Sequence, residues 1–127
     1  MPAFNFKKQF VPFIRAKTKR HTIRADQKDG KPRAKVGDVL HHYCGMRTKS
    51  CFRIVPPVIC TKVEPITITE NPLPMATPRF EVTVGGYVLD KSEKERLAQA
   101  DGFPDFASMM KFWDGRLPFK GSIIHWS

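Results

Sequence analysis

A chain of 127 residues is the length of one domain, so 1–127 reads as a single unit, long enough to bury a core without disulfide support. An apolar content of 41% and a charged content of 27% exclude a disordered or collagen-like chain, and no apolar run approaches the ~18–20 residues that span a bilayer. The formal net charge is +10, and nearly all of it lies in residues 1–35, which hold 11 Lys/Arg against 2 acids; residues 36–127 hold 11 against 10. A field of that sign suits a polyanion such as RNA or a phosphorylated ligand, although a solvated basic face carries the same charge. Lys7 and Lys8 lead into no apolar stretch of a secretory signal, and Cys44, Cys51 and Cys60 form no Cys-x-x-Cys pair. A cytoplasmic protein without a membrane partner is expected.

Phe4 and Phe6 open the chain as a short strand or extended arm. Phe10, Phe13 and Ile14 then follow the i, i+3, i+4 spacing of one helical face, which predicts a helix over about Gln9–Lys17 with Pro12 in its first turn. His21–Arg24 is short enough for a strand or a tight turn, and residues 25–35 form a polar, exposed loop. Gly37-Asp38 launches a strand through Tyr43; Phe52–Val63 is a second, bulged or at an edge because of Pro56-Pro57; Ile66–Thr69 is a third. Asn71–Pro78 is a proline-rich loop, after which Phe80–Val84, Gly85-Gly86 and Tyr87–Leu89 read as a hairpin. Ser92 and Glu95 have the spacing of a capping box for a helix ending before Gly102. Asp105 caps another helix, with Phe106, Met109, Met110 and Trp113 on one face and Gly115 as its stop, and Ser122–Trp126 is the last strand. Five or six strands interrupted by three helices make an α+β fold, a small mixed β-barrel with the helices around its rim.

Few chemistries fit. His41-His42-x-Cys44 has metal-ligand residue types, but neighbours on a strand point to opposite faces, so no metal site is expected. No glycine-rich loop opens onto a helix and no serine sits in a nucleophile elbow, so no nucleotide cofactor is expected either. The segment Lys17–Arg24 does concentrate function-bearing groups, with four cations, a histidine and two threonines in eight residues. If extended, it places Thr22 and Arg24 on one face, a hydroxyl beside a guanidinium.

Five stretches in order then carry a resemblance: Phe10–Ile14, Lys19–Arg24, Lys35–Leu40, Leu97–Phe103 and Leu117–Gly121. Together they resemble the ASCH domain family, related to the PUA domains of RNA-modifying enzymes, over nearly the whole chain. The resemblance implies a small PUA-like barrel with RNA or a modified nucleoside or nucleotide as its partner, bound between the first helix and the barrel. Lys17, Arg20, His21, Arg24 and Phe103 would bind it, with Trp113 and Tyr43 as further stacking candidates. One branch, the small bacterial N4-acetylcytidine amidohydrolases, implies catalytic roles for Lys19 as base and Thr22 as nucleophile, with Arg24 as anchor and Asp101 as acid. The acid position departs from that branch, since Asp101 is one methylene shorter than the family's glutamate, and Arg20-His21 replace smaller neutral residues.

Overall fold

The structure, a computed structural model, describes residues 2–73, 75 and 78–127. Eight strands run in chain order: β1 (Ala3–Phe6), β2 (His21–Ala25), β3 (Val39–Cys44), β4 (Phe52–Arg53), β5 (Val58–Glu70), β6 (Phe80–Val84), β7 (Tyr87–Val88) and β8 (Phe119–Trp126). Helix α1 (Val11–Arg15) lies between β1 and β2; α2 (Lys91–Ala100) and α3 (Phe106–Phe112) lie between β7 and β8. No helix among the described residues is long and apolar enough to cross a membrane.

The sheet is mixed and is organised by β5. β8 lies antiparallel along one edge of β5, while β3 at its beginning and β6 at its end share the other. β2 extends the sheet beyond β8, and β1 joins β3 in parallel. The ladder does not close, because β1 and β2 share no pairing among the described residues. The edges nevertheless approach: Arg24 on β2 donates from Nη2 to the Asn5 carbonyl of β1 at 2.7 Å. The sequence reading of five or six strands is thus replaced by eight strands in one α+β sheet that curls without closing.

The long β5 absorbs two expected strands, Phe52–Val63 and Ile66–Thr69, whereas Pro56-Pro57 splits off the two-residue β4. Pro65 is tolerated inside β5 because its carbonyl accepts from Gly85 N at 2.9 Å, where β6 has already turned. Both backbone groups of a strand residue face one edge, so the missing N–H removes no ladder bond. Strand β8 is buried at four consecutive residues, Gly121–Ile124, which marks it as covered on both faces. Gly121 is required there: a side chain would run into the Arg24 carbonyl across the β2–β8 pair.

The helices follow local rules with two changes of register. A 3₁₀ turn over Lys8–Phe10 precedes α1 and rotates its apolar face, so Phe10, Val11 and Ile14 are buried and Phe13 is 42% exposed. Helix α2 starts on Asp90, not Ser92: the Asp90 carboxylate accepts from Glu93 N at 2.8 Å, and Glu93 Oε1 accepts from Asp90 N at 3.0 Å. Glu95 is committed elsewhere and accepts from Phe106 N at the start of α3. Asp105 caps α3 as its sequence suggests. Loop 25–35 is surface chain but is pinned by a Gln27 N to Lys31 O bond, and it buries Ala34. Of the Asn71–Pro78 segment, residues 74, 76 and 77 lie outside the described residues; Asn71 N bonds Arg79 O at its neck.

Candidate functional site

Three segments meet beside Phe10 of the 3₁₀ turn that precedes α1, and no residue of α1 itself borders the cavity between them. β2 presents Thr22 and Arg24 on one face, the extended residues before it deliver Lys19, and the C-terminal end of α2 delivers Asp101. Asp101 is fixed there by its cap position, with its own N–H bonded to Leu97 O and Gly102 behind it at φ +100°. Lys19 Nζ donates to the Asp101 carboxylate at 2.6 Å and to the Asp101 carbonyl at 2.8 Å. It therefore satisfies a free carbonyl at the helix end and offsets the poor placement of a carboxylate at the negative end of the helix dipole.

Lys19, Thr22, Arg24 and Asp101 line one cavity of about 260 Å³. Phe6, Phe10, Phe112 and Trp113 provide its apolar lining, and Lys7 and Arg116 also border it. Both of these cations stack on the Phe112 ring, at 4.9 Å and 4.8 Å from its centroid. Thr22 Oγ1 accepts from Arg24 Nε at 2.9 Å, and the Arg24 guanidinium rests over Phe4 and Phe6. Arg24 is thus held by two hydrogen bonds and two rings.

Lys19 and Asp101 are 3% and 6% exposed. Burial pulls the Lys19 ammonium below its usual value, against the attraction of Asp101. Burial also opposes ionisation of Asp101, but the charge and hydrogen bond of Lys19, with the nearby His21 ring, outweigh it, and the carboxyl lies below its usual range. Arg24 is lowered to about 10 by burial and then by the charge of Arg33, with Asp101 acting in the opposite direction.

The other expected ligand residues lie elsewhere. Lys17 and Arg20 border a separate groove beside Pro56, Pro57 and Trp126, because alternation along the extended chain turns Arg20 away from Lys19. His21 is buried behind Asp101; its Nε2 is 3.1 Å from Oδ1, near enough for attraction but poorly aligned for a hydrogen bond. Phe103 is a core residue packed on Phe10 and Phe112. Tyr43 takes a hydrogen bond from Arg53 on β4 and does not line the cavity. Phe112 and Arg116 escaped the sequence reading, yet Met109, Phe112 and Trp113 share i, i+3, i+4 spacing, and that pattern could have identified Phe112.

His41 and His42 do face opposite sides of β3: His41 contacts Arg53, while His42 is buried among Phe4, Phe6 and Trp126. Among the described residues no three His, Cys, Asp or Glu side chains gather as a metal-ligand set. The chain matches no protein-family model, and no curated protein or solved structure matches it.

Proposed function

We propose that this chain is an ASCH-type protein that binds a nucleoside unit, free or within RNA, in the cavity lined by Lys19, Thr22, Arg24 and Asp101. The observation that carries the reading is the convergence of Lys19, Thr22, Arg24 and Asp101 beneath aromatic side chains. Hydrogen-bonding groups and aromatic side chains in one lining suit a nucleobase, which presents polar edges and an apolar face. A volume of about 260 Å³ suits a base and little more, being below the ~300–1,000 Å³ common for ligand sites. In this reading the curled sheet is a PUA-like barrel opened between β1 and β2, and the basic first quarter meets the phosphates of the ligand. Work in the cytoplasm accords with the free thiols of Cys44, Cys51 and Cys60.

Amide-shift titration with cytidine and N4-acetylcytidine tests the proposal. Saturable shifts confined to Lys19, Thr22, Arg24, Asp101 and Trp113 are the expected result. Shifts absent from these residues at millimolar nucleoside would overturn it.

A second reading, hydrolysis of an N4-acyl cytidine, is favoured by one contact, the Arg24 Nε donation to Thr22 Oγ1 beside a lysine of lowered pKa. A donor on Oγ1 stabilises the developing alkoxide. The minor neutral form of the Lys19–Asp101 pair would take the Thr22 proton on Lys19 Nζ as Oγ1 attacks the acyl carbon, and the C–N bond would break with that proton delivered to the exocyclic nitrogen. Water would then cleave the threonyl ester and release the carboxylic acid. Asp101 positions Lys19. Release of acid by the wild type, lost in Thr22→Val with nucleoside binding retained, is the expected outcome; a wild type that binds but releases none removes this reading alone.

A further inference from the structure

Two strand edges face each other beside the nucleoside cavity. β1 is hydrogen-bonded to β3 and β2 to β8, which leaves the facing edges of β1 and β2 without a ladder among the described residues. The gap between them holds a second cavity of about 580 Å³, bordered by Phe4, Asn5, Arg24, Gln27 and Arg33. Asn5 and Arg24 border the first cavity as well, so Arg24 is a wall common to both.

The polar groups here are arranged in advance of any ligand. Arg24 spends Nε on Thr22 and Nη2 on the Asn5 carbonyl, which leaves Nη1 without a partner among the described residues. Arg33 is tethered by Nε to the Ala25 carbonyl at 2.9 Å, and both its terminal nitrogens are uncommitted among the described residues. Neither guanidinium forms an ion pair among the described residues, and no carboxylate borders this cavity. After burial, the charge of Arg33 is the second cause of the lowered Arg24 pKa, and Asp101 acts in the opposite direction. Two guanidinium groups bordering one cavity whose lining holds no carboxylate favour an anion between them. A strap between β1 and β2 would account for Arg24 but gives no reason to hold Arg33 next to it.

We infer that the seam between β1 and β2 is a phosphate subsite, in which Arg24 and Arg33 together hold the phosphate of the nucleotide whose base enters the first cavity. The inference rests on the nucleoside reading for the base, and it narrows the ligand to one that carries a phosphate. Guanidinium forks match phosphate oxygens in geometry as well as charge. The sizes agree with this division, since the smaller cavity takes the base and the larger, polar one takes the sugar-phosphate.

Calorimetric titration with cytidine, its 5′- and 3′-monophosphates, inorganic phosphate and a pyrimidine trinucleotide separates the claims, using the wild type, Arg33→Gln, Arg33→Lys and the loop control Lys31→Gln. A phosphorylated ligand should bind about 10–100-fold more tightly than cytidine, the usual range for a charge-assisted contact. Arg33→Gln should remove most of that gap with cytidine affinity and melting temperature unchanged; Arg33→Lys should restore part of it, and Lys31→Gln should leave it intact. Preference for the trinucleotide would assign the phosphate to an RNA backbone, and equal preference for a monophosphate to a free nucleotide. Equal affinity for cytidine and every phosphorylated ligand overturns the subsite, as does an equal loss in Arg33→Gln and Lys31→Gln. Phosphate binding that depends on Arg33 in a protein blind to cytidine would keep the subsite and defeat the nucleoside reading.

Discussion

Lys19 and Asp101 stand 82 positions apart, yet one ammonium group holds both the carboxylate and the main-chain carbonyl of Asp101. The contact clamps the C-terminal end of α2 onto the segment that enters β2. It also places a buried ion pair at the cavity, where removal of one partner strands the charge of the other.

Asp101→Asn or Lys19→Met should each lower unfolding free energy by about 3–5 kcal/mol, the range for breaking a buried pair from one side. The double variant Lys19→Met/Asp101→Leu should lose much less than the sum of the two, because no charge is left stranded. Urea denaturation of the four proteins measures the coupling, and additive losses would contradict the pairing.

His42 provides a pH test away from the cavity. Its ring is buried, both nitrogens lack hydrogen-bond partners among the described residues, and burial followed by the charges of Arg24, His41 and Lys19 lowers its pKa to about 4. In the unfolded chain the ring titrates near its ordinary value of 6.5. Between these values the unfolded state binds more protons, so stability is fully present above about pH 6.5 and is lost as the pH falls toward 4. The contribution is about 3 kcal/mol, at roughly 1.36 kcal/mol per unit. His42→Leu should flatten the fall in stability from pH 7 to 4.5 and leave the protein at least as stable at pH 7, since the unpaired nitrogens are gone. An unchanged pH profile would show that His42 is not the titrating group.

Gly121→Ala should damage the site from a distance. The added methyl meets the Arg24 carbonyl, which is backbone and cannot rotate aside. The β2–β8 pair must part locally, at a cost of about 1–3 kcal/mol typical of overpacking. Faster amide exchange at Ile23 and Ile123, which are register partners, is the signature. Unaltered exchange there would mean that the strands accommodate the methyl.

Binding of single-stranded RNA should fall linearly with the logarithm of salt concentration. Lys7→Ala and Arg116→Ala should each reduce the slope by about 0.7, the value for one single-strand phosphate contact. Lys91→Ala and Arg96→Ala on α2 should not, since neither borders the cavity. Equal effects at all four positions would move the footprint away from the cavity.

The parts that were legible in the sequence depend on near neighbours. The Phe80–Val84 alternation and Gly85-Gly86 announce the β6–β7 hairpin, Asp105 caps α3, and the eight residues from Lys17 to Arg24 stand out as the segment that supplies Lys19, Thr22 and Arg24 to one cavity. Each pattern is satisfied by groups a few positions away, so it survives whatever the rest of the chain does. Where two local solutions were nearly equal, packing chose between them. Asp90 captured the start of α2 because Glu95 was needed at α3, and β5 ran through Pro65 because β6 had already turned away. The sequence determined that Lys19, Thr22 and Arg24 belong to one basic segment. Only the tertiary structure decided that Lys19 meets Asp101 while Arg20 turns outward, and that the Asn5 carbonyl of β1 is carried to Arg24 across a seam between unpaired strands. Those contacts join elements distant along the chain, and no pattern within a few residues encodes them: they exist because the sheet curls and carries the end of α2 to the entry of β2.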